Sequence, residues 1–248
     1  LDGLFASPCT ILAAAATGIN ERTAKQIGID YETSITHGSS HASYYPGAMP
    51  LTIKLVYKKD GTILGAQAVG VEGADKRIDV IATAIKGGLK IFDLPDLELA
   101  YAPPFGSAKD PVNIAGYVAS NVINDDMKII HWDEMENIDR DKSLLLDVRT
   151  KIEYELGTIK DAINIDLNEL RNNISKLDKE KEIIVFCQVG LRGYLAYKIL
   201  VQNGFKVRNL TGGYKTYSYA IGKQENPDIF NNEQINKKKI KEENKEIK

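Results

Sequence analysis

The sequence predicts an α+β domain followed by an α/β domain with a parallel sheet flanked by helices. Three observations predict it. Residues 51–57 and 63–71 alternate with period two across a Lys59-Asp60-Gly61 turn, and helical spacing begins only after them. Beyond Asn124-Asp125-Asp126, strand and helix patterns alternate, as they do in a parallel sheet covered on both faces. Within that second region, Ile183-Ile184-Val185-Phe186 reads as a buried strand running through a glycine loop into a helix, with Cys187 at the junction.

Residues 1–17 are apolar and then alanine-rich, interrupted by Pro8, and read as the remnant of a preceding region. The first domain then spans residues 18–125. It holds a short strand at 33–36 and the hairpin 51–57/63–71. A helix carries Ile78, Ile81, Ala82 and Ile85 and ends at Gly87-Gly88. A second helix at 112–122 starts behind Pro111, a favoured first helical residue. The second domain spans residues 126–222, with strands at 144–148, 164–165, 183–186 and 207–210 and helices at 152–156, 167–177 and 193–203. Residues 223–248 are rich in Lys, Glu and Asn and poor in apolar side chains. They cannot bury enough surface to offset their ordering entropy, so a frayed or disordered tail is expected. Lys237-Lys238-Lys239 reads as solvated, because interleaved acids cancel much of its charge.

With 248 residues, 43% hydrophobic and 27% charged, and a formal net charge of −2, the chain has an ordinary globular composition. Nothing in it calls for nucleic acid or a membrane as partner. Residues 11–17 are too few and too alanine-rich to span a bilayer, and the start lacks the basic segment of a secretory signal. Two cysteines, Cys9 and Cys187, are too few for a disulfide framework, so a reducing, cytoplasmic setting is expected. The first residue is Leu, and the chain is expected to be the C-terminal part of something longer.

Cys187 carries the chemistry. Free N–H groups in a tight loop and at a helix start favour negative charge, so a cysteine held there gives up its proton more easily. Gly190 lets the backbone curl, and Arg192 offers a planar, permanently charged fork for an anionic donor or for the loop itself. Gln188, Val189, Gly190, Leu191 and Gly193 supply the rest of the cradle. A small thiol capping a core strand is the competing reading, and the flanking Gly and Arg favour a nucleophile that is acidic and reachable. Cys9 has no such loop and reads as a core thiol or an exposed leftover. His37 and His41 are four apart, but Gly38-Ser39-Ser40 argues for a loop and no third ligand is near, so no metal is expected. Lys76 and Arg77 read as a surface ion pair.

Three segments of the second domain resemble a rhodanese, the sulfurtransferase module. They are Leu146-Asp147-Val148-Arg149 with Glu153 and Gly157-Thr158-Ile159, the six residues from Cys187 to Arg192, and Leu210-Thr211-Gly212-Gly213-Tyr214. Thr158 departs from the family's usual His, and Tyr217 from a frequent Trp. The resemblance implies that Cys187 accepts sulfane sulfur as a persulfide from a polysulfide, persulfide or thiosulfate and yields it to a thiol. Asp147, Arg149 and Glu153 would support the loop. The six-residue loop disfavours the phosphatases of this fold, which carry a longer one.

The first domain resembles the C-terminal dimerisation domain of coenzyme A-disulfide reductases, some of which carry a fused rhodanese. The likeness rests on 41–48 (His-Ala-Ser-Tyr-Tyr-Pro-Gly-Ala), 65–70, 73–79, Tyr101-Ala102-Pro103-Pro104-Phe105 and Asp110-Pro111-Val112-Asn113. It implies a homodimer in which Tyr44 and Tyr101, rather than Tyr45, project towards the partner's flavin and redox cysteine. FAD, NAD(P)H and coenzyme A are implied for the intact enzyme. No G-x-G-x-x-G follows a strand in this sequence, and the reductase's own cysteine motif is missing, so no cofactor is expected on this chain alone. A non-catalytic dimerisation protein with a rhodanese-like binding or sensing module is the alternative.

Overall fold

Period-two alternation places Leu51, Ile53, Leu55 and Tyr57 on one face of a strand, and all four are buried. The structure, a computed structural model, describes residues 12–222. The readings of residues 1–11, of Cys9 and of the tail at 223–248 lie outside the described residues. The chain divides into two compact units between Ile129 and Ile130, four residues beyond the expected boundary.

The first unit holds an antiparallel sheet in the order β1-β4-β3-β2. Its strands are β1 (Ala13–Gly18), β2 (Glu32–Ser39), β3 (Pro50–Tyr57) and β4 (Ile63–Gly70). Strand β1 pairs along its whole length with β4, Ala15 opposite Ala68. Residues 13–17 are therefore part of the first domain, not a remnant of a preceding one. An alanine run gives no alternation, so the pairing was not legible before the sheet was known. Helices α2 (Ala74–Lys86) and α3 (Pro111–Ile123) cover one face, packing Ile78, Ile81, Val112, Ala115 and Ala119 against the β3 and β4 side chains. A short helix α1 (Glu21–Ile27), capped by the Asn20 side chain and by Gly28, was not anticipated.

The second unit holds a five-stranded sheet in the order β5-β9-β8-β6-β7. Its strands are β5 (Ile129–Ile130), β6 (Ser143–Asp147), β7 (Ile163–Asn164), β8 (Glu182–Phe186) and β9 (Val207–Leu210). The β6–β7, β6–β8 and β8–β9 pairings are all parallel. Leu145, Ile184, Phe186 and Leu210 share a buried cluster with Ile130, Met135 and Ile159. The alternate positions Leu146, Ile183 and Val185 are fully buried as well, which is why these strands read as continuous apolar runs. The helices are α4 (Lys151–Glu155), α5 (Leu170–Asn173), α6 (Leu191–Gln202) and α7 (Gly213–Ala220). The expected helix at 167–177 is a broken run in which 3-10 turns flank the four residues of α5. Helix α7 lay hidden behind its two glycines.

Candidate active site

Cys187 follows the last residue of β8, and α6 begins four residues later at Leu191, so the cysteine lies beyond the carboxyl end of a central parallel strand. The Gly190 N–H donates to Cys187 Sγ at 3.1 Å. Gly190 adopts φ 115°, which a side chain would disfavour, and this turn brings its amide onto the sulfur. One amide of the expected cradle, that of Gly190, meets the sulfur. The sulfur is not reachable: Cys187 is only 1% exposed, and the sequence expectation is corrected on this point. In the same loop Leu191 is 67% exposed and Val189 is exposed as well.

The base of the loop is held by contacts from three other segments. The Tyr214 N–H donates to Cys187 O at 2.8 Å and the Lys215 N–H to Gln188 O at 3.0 Å. Gly213, at φ 61°, lies so close beneath that a Cβ there would fall onto the Cys187 carbonyl. At the end of β6 and two residues beyond it, Asp147 and Arg149 form a fully buried pair, Arg149 Nη2 lying 2.6 Å from Asp147 Oδ2. Thr158 donates its hydroxyl to the same oxygen at 2.8 Å, taking up at Asp147 the position where the resembling family carries His. Arg149 also donates to Gln188 Oε1 at 3.0 Å and to Gly157 O at 2.6 Å, and its guanidinium lies over the Tyr214 ring. Asp147 and Arg149 thus join the loop's second residue to the segment after α4.

At the other end of the loop, Arg192 grips Glu153 in a two-pronged pair, Nη1–Oε2 2.7 Å and Nη2–Oε1 2.6 Å. Glu153 also caps α4, accepting from the Thr150 N–H at 3.0 Å and from its hydroxyl at 2.9 Å. Burial alone would raise the Glu153 carboxyl. The Arg192 hydrogen bonds and charge, with Thr150, outweigh it and hold the group at about 2. Lys215, missed by sequence reasoning, is buried in α7, and burial pushes its ammonium down. Asn209 was missed too. It sits 3% exposed on β9, its side-chain amide 3.5 Å from Gly190 O, and a Cβ at Gly193 would strike its Oδ1.

In the first unit, Tyr44 and Tyr101 come together, their hydroxyls 3.0 Å apart, although 57 positions separate them. The Ala42 N–H joins the two loops by donating to Gly106 O at 2.9 Å. Tyr44 is 74% and Tyr101 49% exposed, and the hydrogen bond to Tyr101 pushes the Tyr44 phenol up. Tyr45 instead meets the His41 ring edge-on. Arg77 is no surface ion pair. It is 2% exposed and donates to Asp110 Oδ2 at 2.8 Å and to Ser40 O at 2.7 Å, behind the tyrosine loop. A charged residue on the inner stripe of α2 was the overlooked sign. His37 contacts Thr52 Oγ1 at 2.8 Å and His41 contacts Pro46 O at 3.2 Å. Among the described residues no cluster of His, Cys, Asp or Glu is arranged to hold a metal. No helix among them is long and apolar enough to cross a membrane.

Residues 132–220 match the family model of the rhodanese-like domain, and residues 7–111 that of the pyridine nucleotide-disulphide oxidoreductase dimerisation domain. The chain carries both domains, and as a whole it resembles the C-terminal part of a coenzyme A-disulfide reductase fused to a rhodanese. The crystal structure of reduced Bacillus anthracis CoADR-RHD matches with a TM-score of 0.86 and 45% identity, over 90% of this chain and 40% of that one. A NAD-dependent persulfide reductase from A. fulgidus matches with a TM-score of 0.76 and 39% identity, over 83% of this chain and 37% of that one. Coenzyme A disulfide reductase of Staphylococcus aureus (strain JH9) is 44% identical over 107 residues, 42% of this chain and 24% of its own length. The chain thus spans about a quarter of the curated relatives it matches.

Proposed function

We propose that the second domain is a sulfurtransferase in which Cys187 carries sulfane sulfur as a persulfide. The first domain would pair two copies of a coenzyme A-disulfide, persulfide or polysulfide reductase. The observation that carries this reading is the Gly190 N–H aimed at Sγ, 3.1 Å away, at the end of a parallel strand. The Cys187 thiolate attacks the outer sulfur of a donor R–S–SH. A sulfur–sulfur bond forms to Cys187, the donor's own sulfur–sulfur bond (RS–SH) breaks, and the thiolate RS⁻ departs with that bond's electron pair. A thiol acceptor reverses the exchange. Gln188, Val189, Gly190, Leu191 and Gly193 shape the receiving loop, and Asp147, Arg149, Glu153 and Arg192 position it.

Cys187 is only 1% exposed, so a donor has to displace part of its surroundings to reach the sulfur. In the intact enzyme the sulfur would pass to the flavin site, where FAD reduced by NAD(P)H would supply the electrons that release sulfide. This sequence lacks the glycine fingerprint of the domains that hold those groups. Tyr44 and Tyr101, paired and exposed in one subunit, would face the partner's redox site. A reducing cytoplasm suits a thiol that must cycle.

The low exposure of Cys187 also favours the rival reading, a non-catalytic interaction and dimerisation protein whose rhodanese-like domain binds or senses. Transfer of sulfur from polysulfide to cyanide separates the two. The wild-type chain is expected to form thiocyanate and Cys187→Ser to form none above background. Equal rates in both proteins contradict the proposal.

A further inference from the structure

The Cys187 loop contains one charged side chain, Arg192, and that charge is already engaged. Both of its outer nitrogens meet Glu153 at 2.6 and 2.7 Å, and Glu153 is itself fixed as the cap of α4 by the Thr150 N–H and hydroxyl. The other arginine beneath the loop, Arg149, is fully buried and committed to Asp147, Gly157 and Gln188. What the loop presents outward is apolar. Leu191 is 67% exposed and Leu195, one helical turn on, 46%. Sulfane donors differ in the group that must be bound beside the reacting sulfur. Thiosulfate brings a sulfonate-like head with a full oxyanion charge, which a free guanidinium recognises, whereas an organic persulfide brings a carbon arm.

We infer that Glu153 sets the donor preference of this loop. By neutralising Arg192 it denies thiosulfate its cation, and the loop takes sulfur from a persulfide instead. The inference rests on the sulfur-transfer reading above. With thiosulfate the thiolate would attack the outer sulfur, forming the Cys187 persulfide while sulfite departs with the electron pair of the broken sulfur–sulfur bond. The chemistry is the same for both donors, so the preference is one of binding. Glu153 and Arg192 act through the loop and are positioning residues.

The test uses the full chain and two readouts. Thiosulfate binding is measured by calorimetry on Cys187→Ser and on Cys187→Ser/Glu153→Gln, which need no turnover. Freeing the guanidinium is expected to tighten binding by about tenfold or more. The ratio of kcat/KM for thiosulfate to that for 2-hydroxyethyl persulfide is expected to rise by a similar factor in Glu153→Gln. Unchanged binding and an unchanged ratio overturn the inference. If Glu153→Gln does not fold, Arg192→Gln in the Cys187→Ser background decides. Thiosulfate binding within about twofold of the parent supports a cation already spent, and a tenfold loss overturns it. Wild-type protein that transfers sulfur from neither donor would count against the sulfurtransfer reading, while the binding comparison still judges the role of Glu153.

Discussion

At the scale of single residues, the site is a set of charges balanced in pairs beneath an apolar rim. Glu153 offers a direct check on one pair. Its carboxyl stands at about 2 in the folded chain against an ordinary 4.5, so the folded state releases that proton more readily than the unfolded one. The stability it contributes is complete above about pH 4.5 and is lost as the pH falls towards 2. Because the Arg192 side chain is 33% exposed, solvent screening reduces the contribution to about 1–2 kcal/mol. Urea midpoints of the wild type should therefore fall relative to those of Glu153→Gln as the pH drops from 4.5 towards 2, the interval between the ordinary and the folded carboxyl. Parallel curves would contradict the pairing. The sequence named Cys187, Asp147, Arg149, Glu153 and Arg192 from their motif. Which cation meets which carboxylate was not legible, because Arg192 and Glu153 stand 39 positions apart and only the fold joins them.

At the scale of elements, legibility followed periodicity. Strands β3 and β4 and helices α2 and α3 were found within a few residues, because each buries one regularly spaced stripe. Strands β6 and β8 were found as apolar runs bounded by polar turns, and β9 as a short strand ending before Gly212-Gly213. What escaped were elements whose identity rests on pairing or capping. Strand β1 is an alanine run defined by β4. Helix α1 is seven residues between Asn20 and Gly28. Helix α7 starts at Gly213, where the close approach to the Cys187 carbonyl demands a glycine and conceals a helix start. That glycine belongs to the site as much as to the helix, since it lets α7 support the loop from below.

At the scale of the whole molecule, the expected partner of the first domain is a second copy of the chain. The family model that matches residues 7–111 is named for dimerisation, and Tyr44, Tyr101 and Phe105 stand 74%, 49% and 71% exposed on the joined loops. So much exposed aromatic surface is suited to an interface. Sedimentation at micromolar concentration should show a dimer, weakened by Tyr44→Ala together with Phe105→Ala. A monomer at every concentration would contradict the pairing proposed for this domain.

The central claim is that Cys187, although only 1% exposed, accepts sulfur. It is tested most directly by intact and peptide mass spectrometry after brief exposure to polysulfide and removal of the excess. The account predicts the added mass of one sulfur atom on the peptide containing Cys187, discharged by cyanide. An unmodified Cys187 peptide, from protein that remains folded, would contradict it.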